Sequence, residues 1–190
     1  MINIEAEFIK YFPHLAKAFA PDGLREYQKK AVFNVVNNGN TLCVMPTGGG
    51  KSLVYWIAGL ILGGITIVVS PLIALIDEQQ EKLVAQGIEA LTLHGHIDAS
   101  KQVKLLKDFA NGVINPRFIF VSPEKLATDG FFEYCIKIRR DEIKLITIDE
   151  VHCVSQWGIS FRPFYRHIYD FIKKVFNDER PKLLALTATL

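Results

Sequence analysis

The sequence predicts an α/β fold, a parallel β-sheet with helices on both faces. Three observations predict it. Short β-branched or apolar runs alternate with longer helical patterns along the chain. The run Ile65-Thr-Ile-Val-Val69 is apolar enough for a strand covered on both faces. A glycine-rich turn joins the strand-like Thr41–Met45 to a helix that opens at Lys51.

Taken in order, residues 1–23 form a helical lead-in and residues 24–190 a single α/β lobe. A helix over Leu24–Asn37 precedes the strand Thr41–Met45, and Lys51–Leu62 follows as a helix with Leu53, Ala58, Leu60 and Leu62. From Ser52 to Ile76 no residue is charged, which imitates a membrane span. Gly63-Gly64 and Ser70-Pro71 break the stretch into a buried helix and the strand Ile65–Val69 instead. Beyond them, helices over Pro71–Gln86, Ser100–Ala110 and Phe164–Phe176 alternate with strands over Ala90–Leu93, Arg117–Val121, Lys144–Ile148 and Lys182–Leu186. Ser70-Pro71 and Ser122-Pro123 share one pattern: strand, Ser as N-cap, Pro at the first helical position.

Length and composition set bounds. At about 150 residues per domain, 190 residues make one domain. Apolar residues at 49% and charged residues at 22% exclude a largely disordered chain. Lys plus Arg number 22 against 20 acids, a net charge of +2. Any contact with nucleic acid therefore runs through a local patch or through backbone amides. Cys43, Cys135 and Cys153 form no C-x-x-C pair, which excludes a disulfide framework and makes no case for zinc. The N-terminus lacks a basic-then-apolar leader, so a reduced intracellular setting, cytoplasmic or nuclear, is expected. The end at Leu190, directly behind a strand-like run, reads as one lobe cut from something longer.

Two motifs carry chemistry. Met45-Pro46-Thr47-Gly48-Gly49-Gly50-Lys51-Ser52 lies between strand and helix. Its glycines let backbone N–H groups converge on an anion, and the helix N-terminus adds partial positive charge. Lys51 supplies a full charge for the β- and γ-phosphates, and the Ser52 hydroxyl can ligate Mg²⁺. Met45 stands where the strict pattern has Gly. The second motif, Asp149-Glu150-Val151-His152, directly follows the strand Lys144–Ile148. Ligands in such sheets bind at the carboxyl ends of strands, so both carboxylates face the loop. Asp149 suits Mg²⁺, and Glu150 can polarise an attacking water.

These two motifs, with Leu186-Thr187-Ala-Thr189, resemble motifs I, II and III of the superfamily-2 helicases. Leu24-Arg25-Glu-Tyr-Gln28, Val69-Ser-Pro-Leu-Ile-Ala-Leu75 and Val121-Ser-Pro-Glu-Lys-Leu126 resemble motifs 0, Ia and Ib. Ser155-Gln-Trp-Gly-Ile-Ser-Phe-Arg-Pro163 closely resembles the aromatic-rich loop of the RecQ helicases. The resemblance implies a RecA-like ATP-binding lobe of a 3′-to-5′ DNA helicase that uses ATP and Mg²⁺, with single-stranded or forked DNA and a second RecA-like lobe as partners. It implies that Arg25 and Gln28 support and read the adenine, with Phe19 a candidate to stack on the base or else core. Ser70, Pro71, Ser122 and Pro123 would aim helix ends at DNA phosphates. Gln156, Trp157, Phe161 and Arg162 would contact bases and backbone, and His152 would bridge that loop to the ATP site. Thr187 and Thr189 would couple hydrolysis to lobe movement. Val151 and Phe164 depart from the RecQ pattern, and Asp77 and Glu78 place acids where a phosphate strand would pass. His94 and His96 read as loop histidines. Another superfamily-2 nucleic-acid motor, or an ATP-dependent clamp that binds DNA without unwinding it, remains open at this point.

Overall fold

The computed structural model describes residues 2–19, 21–151, 162–176 and 180–188. Six parallel strands make one sheet: β1 (Thr41–Val44), β2 (Ile65–Val69), β3 (Ala90–Leu93), β4 (Phe118–Val121), β5 (Ile143–Ile148) and β6 (Lys182–Thr187). Their order is β1-β6-β5-β2-β4-β3. All neighbours run parallel, so every strand presents its carboxyl end to the same edge.

One sheet face is covered from the N-terminal side of the chain. Helices α1 (Ile4–Tyr11), α2 (Pro13–Phe19), α3 (Glu26–Phe33), α4 (Lys51–Leu62) and α5 (Ile73–Ala85) lie here. Phe8, Phe12, Val32, Tyr55, Trp56 and Ile76 meet Val68, Phe118, Phe120, Leu145 and Leu184 of the sheet. On the opposite face, α6 (Ala99–Ala110), α8 (Gly130–Ile138) and α9 (Arg162–Val175) bring Phe109, Phe132, Ile136, Phe171 and Ile172 onto Ile67, Val69, Ile119 and Ile146. The short α7 (Pro123–Thr128) leads from β4 toward α8.

The charge-free stretch is core. Leu53 through Leu60 of α4 and all of β2 are buried. Among the described residues, no helix is long and apolar enough to cross a membrane.

Four details differ from the sequence reading. The helix expected over Leu24–Asn37 is α3 followed by a π-helical turn, Asn34–Asn38. Helix α8 was not expected, although Asp129 accepts from the N–H groups of Phe131 and Phe132 and so caps it. Phe132, Cys135 and Ile136, its buried stripe, have helical spacing. The shared design of the two Ser-Pro segments does not hold. Ser122 caps α7 by accepting from Lys125 N, with Pro123 in the first turn. Helix α5 starts only at Ile73, with Leu72 as an N-cap that offers no side-chain bond. Ser70 is instead the last residue tied to the sheet, through Ser70 N to Val121 O at 3.2 Å, and its hydroxyl is buried. Glu124 suits a first helical turn, whereas Leu72 and Ile73 bring no charge to one. Finally, His94 sits in a loop but is buried, with Nδ1 accepting from His96 N and Nε2 at 2.9 Å from Asp77 Oδ1. With Nδ1 an acceptor, Nε2 carries the proton and donates to Asp77. The acid that seemed to oppose a phosphate strand is thereby engaged inside the chain.

The turn between α4 and β2 gives a sharp stability test. Gly63 and Gly64 both have positive φ, 72° and 64°. A Cβ on Gly64 would lie 2.3 Å from the Glu142 carbonyl oxygen, whereas one on Gly63 meets nothing within 4 Å. Gly63→Ala carries only a backbone cost, and Gly64→Ala adds a clash with backbone. We expect Gly64→Ala to lose about 2 kcal/mol more than Gly63→Ala. Paired thermal melts read this as a gap of about 4–8 °C, at roughly 2–4 °C per kcal/mol for a chain of this size. Equal melting temperatures would contradict the close approach.

Candidate nucleotide site at the carboxyl edge of the sheet

The phosphate-loop segment leaves β1 and is tied to β6 at once, through Met45 N to Thr187 O at 2.9 Å. The loop closes on itself through Gly49 N to Pro46 O at 2.8 Å. Gly50 is the left-handed N-cap of α4, φ 76°, and a Cβ there would meet the Gln28 amide nitrogen at 2.4 Å. The loop thus needs glycine at this position twice, for its backbone and for its neighbour.

Gln28 holds the loop from below. It is buried, and its Nε2 donates to the carbonyls of Gly49 and Gly50 at 3.3 and 3.2 Å. Its Oε1 accepts from Arg25 N at 2.9 Å, closing a capping box on α3. Arg25 reaches the same loop through Tyr27, whose hydroxyl accepts from the guanidinium and donates to the Gly49 carbonyl at 3.1 Å. Tyr27 is a site residue that the sequence reading passed over, although it stands inside the Leu24–Gln28 motif it quoted. Phe19 sits edge-on to Phe8 and lines a cleft of about 320 Å³ with Gly50, Ser52, Leu53 and Trp56.

The acidic motif is suspended between two strands. Asp149 N donates to Val69 O of β2, and Val151 N to Leu186 O of β6, both at 2.9 Å. Asp149 is buried, and its Oδ1 accepts from Glu150 N at 2.9 Å. Glu150 has φ 52°, the one positive φ outside glycine among the described residues. Such a conformation costs about 1–3 kcal/mol and gathers at functional positions. Here it turns the Glu150 carboxylate onto Lys51, and the two form a half-buried ion pair. The loop cation and the candidate base are thus in direct contact, although 99 residues separate them in sequence.

Tyr55 stands one turn after Ser52 on α4 and is buried. Burial first, and then the Asp149 charge, push its hydroxyl pKa far above the phenol range, while the Ser52 hydroxyl works in the other direction. Ser52 and Asp149 therefore both lie close to one buried hydroxyl.

The donor set fits a nucleotide and a hard cation. Loop amides at a helix N-terminus with Lys51 suit phosphate oxygens, and the carboxylate that now meets Lys51 stands where such an oxygen would. Ser52 and Asp149 offer the one or two protein oxygens that Mg²⁺ takes.

Among the other expected site residues, Pro46 and Thr47 lie in the loop, and Gly48 takes a positive φ. Thr187 ends β6 fully buried. Ser70 and Ser122 follow β2 and β4 at the same sheet edge, with Pro71 and Pro123 beside them. Arg162 opens α9. His152, Gln156, Trp157, Phe161 and Thr189 lie outside the described residues.

Comparison with known proteins bears on the same stretch. Residues 25–190 match the family model described as DEAD/DEAH box helicase. The chain is 40% identical over 175 residues to the ATP-dependent helicase wrn-1 of Caenorhabditis elegans, covering 92% of this chain and 16% of that protein. It is 38% identical over 175 residues to the ATP-dependent DNA helicase RecQ of Haemophilus influenzae, covering 92% of this chain and 27% of that protein. The chain therefore spans only a fraction of the length of these relatives. The crystal structure of the DUF1998 helicase MrfA bound to DNA and AMPPNP superposes with a TM-score of 0.79 at 20% identity, over 100% of this chain and 27% of that one. At that identity the likeness speaks for the fold alone. With the family model running from the Arg25 segment through both phosphate-site motifs to the last strand, the chain belongs to the DEAD/DEAH box helicase family, and its relatives include RecQ-type helicases.

Proposed function

We propose that this chain is the Mg–ATP-binding first lobe of a RecQ-type DNA helicase that unwinds in the 3′-to-5′ direction. The observation that carries the reading is the Lys51–Glu150 pair above the buried Asp149. Two parts of a phosphoryl-transfer site meet there, the loop cation and the candidate base. DNA as the partner is supported by the names of the relatives and by the Ser-Pro segments at the same sheet edge.

The residues divide the work. Loop amides and Lys51 bind phosphate, and in doing so displace Glu150 from Lys51. The released carboxylate then accepts a proton from a water aimed at the γ-phosphate. Asp149 and Ser52 would hold Mg²⁺, which would supply positive charge to the phosphates. Thr187 sits under the loop through Met45 N, so it is placed to register a change there. Arg25 and Gln28 border the base and set the height of the loop. The loop from Ser155 to Pro163 links DNA to hydrolysis, with His152 leading into it.

A single measurement separates binding from motor function. Lys51→Ala should weaken Mg–ADP binding by tenfold or more, while the wild-type chain binds but turns over slowly. An arginine contributed by a second lobe is worth about 10³–10⁵ in rate. Vigorous DNA-stimulated ATPase by the 190-residue chain would overturn the division into two lobes.

Glu150→Gln tests the pair itself. The amide cannot hold Lys51 as an ion pair, so nucleotide affinity should stay level or rise. ATP hydrolysis by the parent protein should fall by about 10²-fold or more. Weaker nucleotide binding in Glu150→Gln would mean that the contact with Lys51 builds the site rather than competes for it.

Trp157→Ala in the parent protein should keep basal ATPase and most DNA affinity, since one lost stacking contact costs about 1–3 kcal/mol. DNA stimulation and unwinding should be largely lost. Retained stimulation with a lowered melting temperature would make Trp157 a core anchor instead.

A further inference from the structure

We propose that Tyr55 is a positioning residue that transmits the state of the Ser52–Asp149 site to helix α5, the helix behind the Ser70-Pro71 segment. The proposal rests on the reading of this lobe as an Mg–nucleotide-binding unit. It adds a route by which that binding reaches the edge expected to carry DNA.

The geometry is specific. Ser52 and Tyr55 are three residues apart on α4 and so share a face. Tyr55 is 2% exposed, and its hydroxyl donates to Gln79 Oε1 at 3.3 Å. Gln79 is itself buried, in the middle of α5. Among the described residues this is the one side-chain hydrogen bond that joins α4 to α5. The same ring meets Phe120 of β4 edge-on, with centroids 6.4 Å apart and planes at 71°. Phe120 is two residues before Ser122, which caps the helix at the other Ser-Pro segment. One side chain thus touches α5 and β4, the two elements that adjoin the Ser-Pro segments.

Two of its other neighbours are the groups that suit a divalent cation. The Asp149 charge and the Ser52 hydroxyl both act on the Tyr55 hydroxyl. When a cation draws on those two oxygens, the field at the Tyr55 hydroxyl changes, and its one bond to α5 is remade or broken. The Tyr55 hydroxyl thus has a polar partner on a neighbouring helix. A buried hydroxyl without one is costly, so Gln79 and Tyr55 answer to each other.

Amide hydrogen exchange on the whole chain, with Mg–ADP as the probe, tests this. In the wild type, saturating Mg–ADP should slow exchange across Ile73–Ala85 by about fivefold or more, at the low end of usual couplings between sites. Gln79→Leu should bind Mg–ADP with wild-type affinity, yet the response of α5 should shrink below about twofold. Tyr55→Phe keeps the ring against Phe120 and should lose the response in the same way. The double variant Tyr55→Phe, Gln79→Leu replaces both partners with apolar groups, so it should recover the melting temperature but not the response. A wild-type response in Gln79→Leu or in the double variant overturns the proposal. So does an α5 that ignores Mg–ADP in a wild-type chain that binds it. Failure of the wild type to bind Mg–ADP at all strikes the nucleotide reading first, and the proposal with it.

Discussion

The site depends on one constraint, the parallel register of the sheet. Because β1, β6, β5 and β2 all run the same way, their carboxyl ends meet along one edge. A loop after β1 and an acidic pair after β5 then become neighbours without any motif of their own to bring them together. Strand β6 completes the arrangement from between them. It takes Met45 N on one side and Val151 N on the other. Parallel pairing is possible here because both sheet faces are covered, each by its own apolar core.

Electrostatics sets the resting state. Lys51 and Glu150 are both mostly buried and neutralise each other. An uncompensated charge at either position would be expensive. On the proposed reading, phosphate would replace one partner of a pair rather than fill a bare positive hole. Asp77 follows a similar logic at the other end of the edge, where His94 engages it. Neither pairing could be read from net charge, which is close to balance for the chain as a whole.

Much of this was legible in the residues. The apolar runs placed all six strands to within a residue or so, and Lys51–Leu62 is α4 to the residue. The turn glycines and Asp149-Glu150 declared their chemistry by residue type and spacing. Strand order was not legible, because alternation of strand and helix says nothing about where a returning strand inserts. Ser70 misled, since Ser-Pro reads the same whether or not a helix begins there. Gln28 was expected to read adenine, and that its amide is buried against the loop carbonyls was not legible from a polar stretch. Tyr55 was hidden among apolar neighbours, where an aromatic is the ordinary filling and only a partner such as Gln79 reveals a polar role.

The position of β6 has a consequence for how the molecule comes into being. The loop from Met45 to Ser52 leaves the ribosome early, yet its support at Thr187 is made some 140 residues later. Until that strand slides between β1 and β5, the first strand has no partner in the sheet. A nascent chain therefore displays a phosphate-loop sequence long before it owns a phosphate site. Contacts of such long sequence separation also slow folding, because loop closure comes before their reward. On the proposed reading, nucleotide would stabilise the finished lobe but not guide its early assembly, and the half-made sheet, with its long charge-free stretch, is the state that a chaperone would meet.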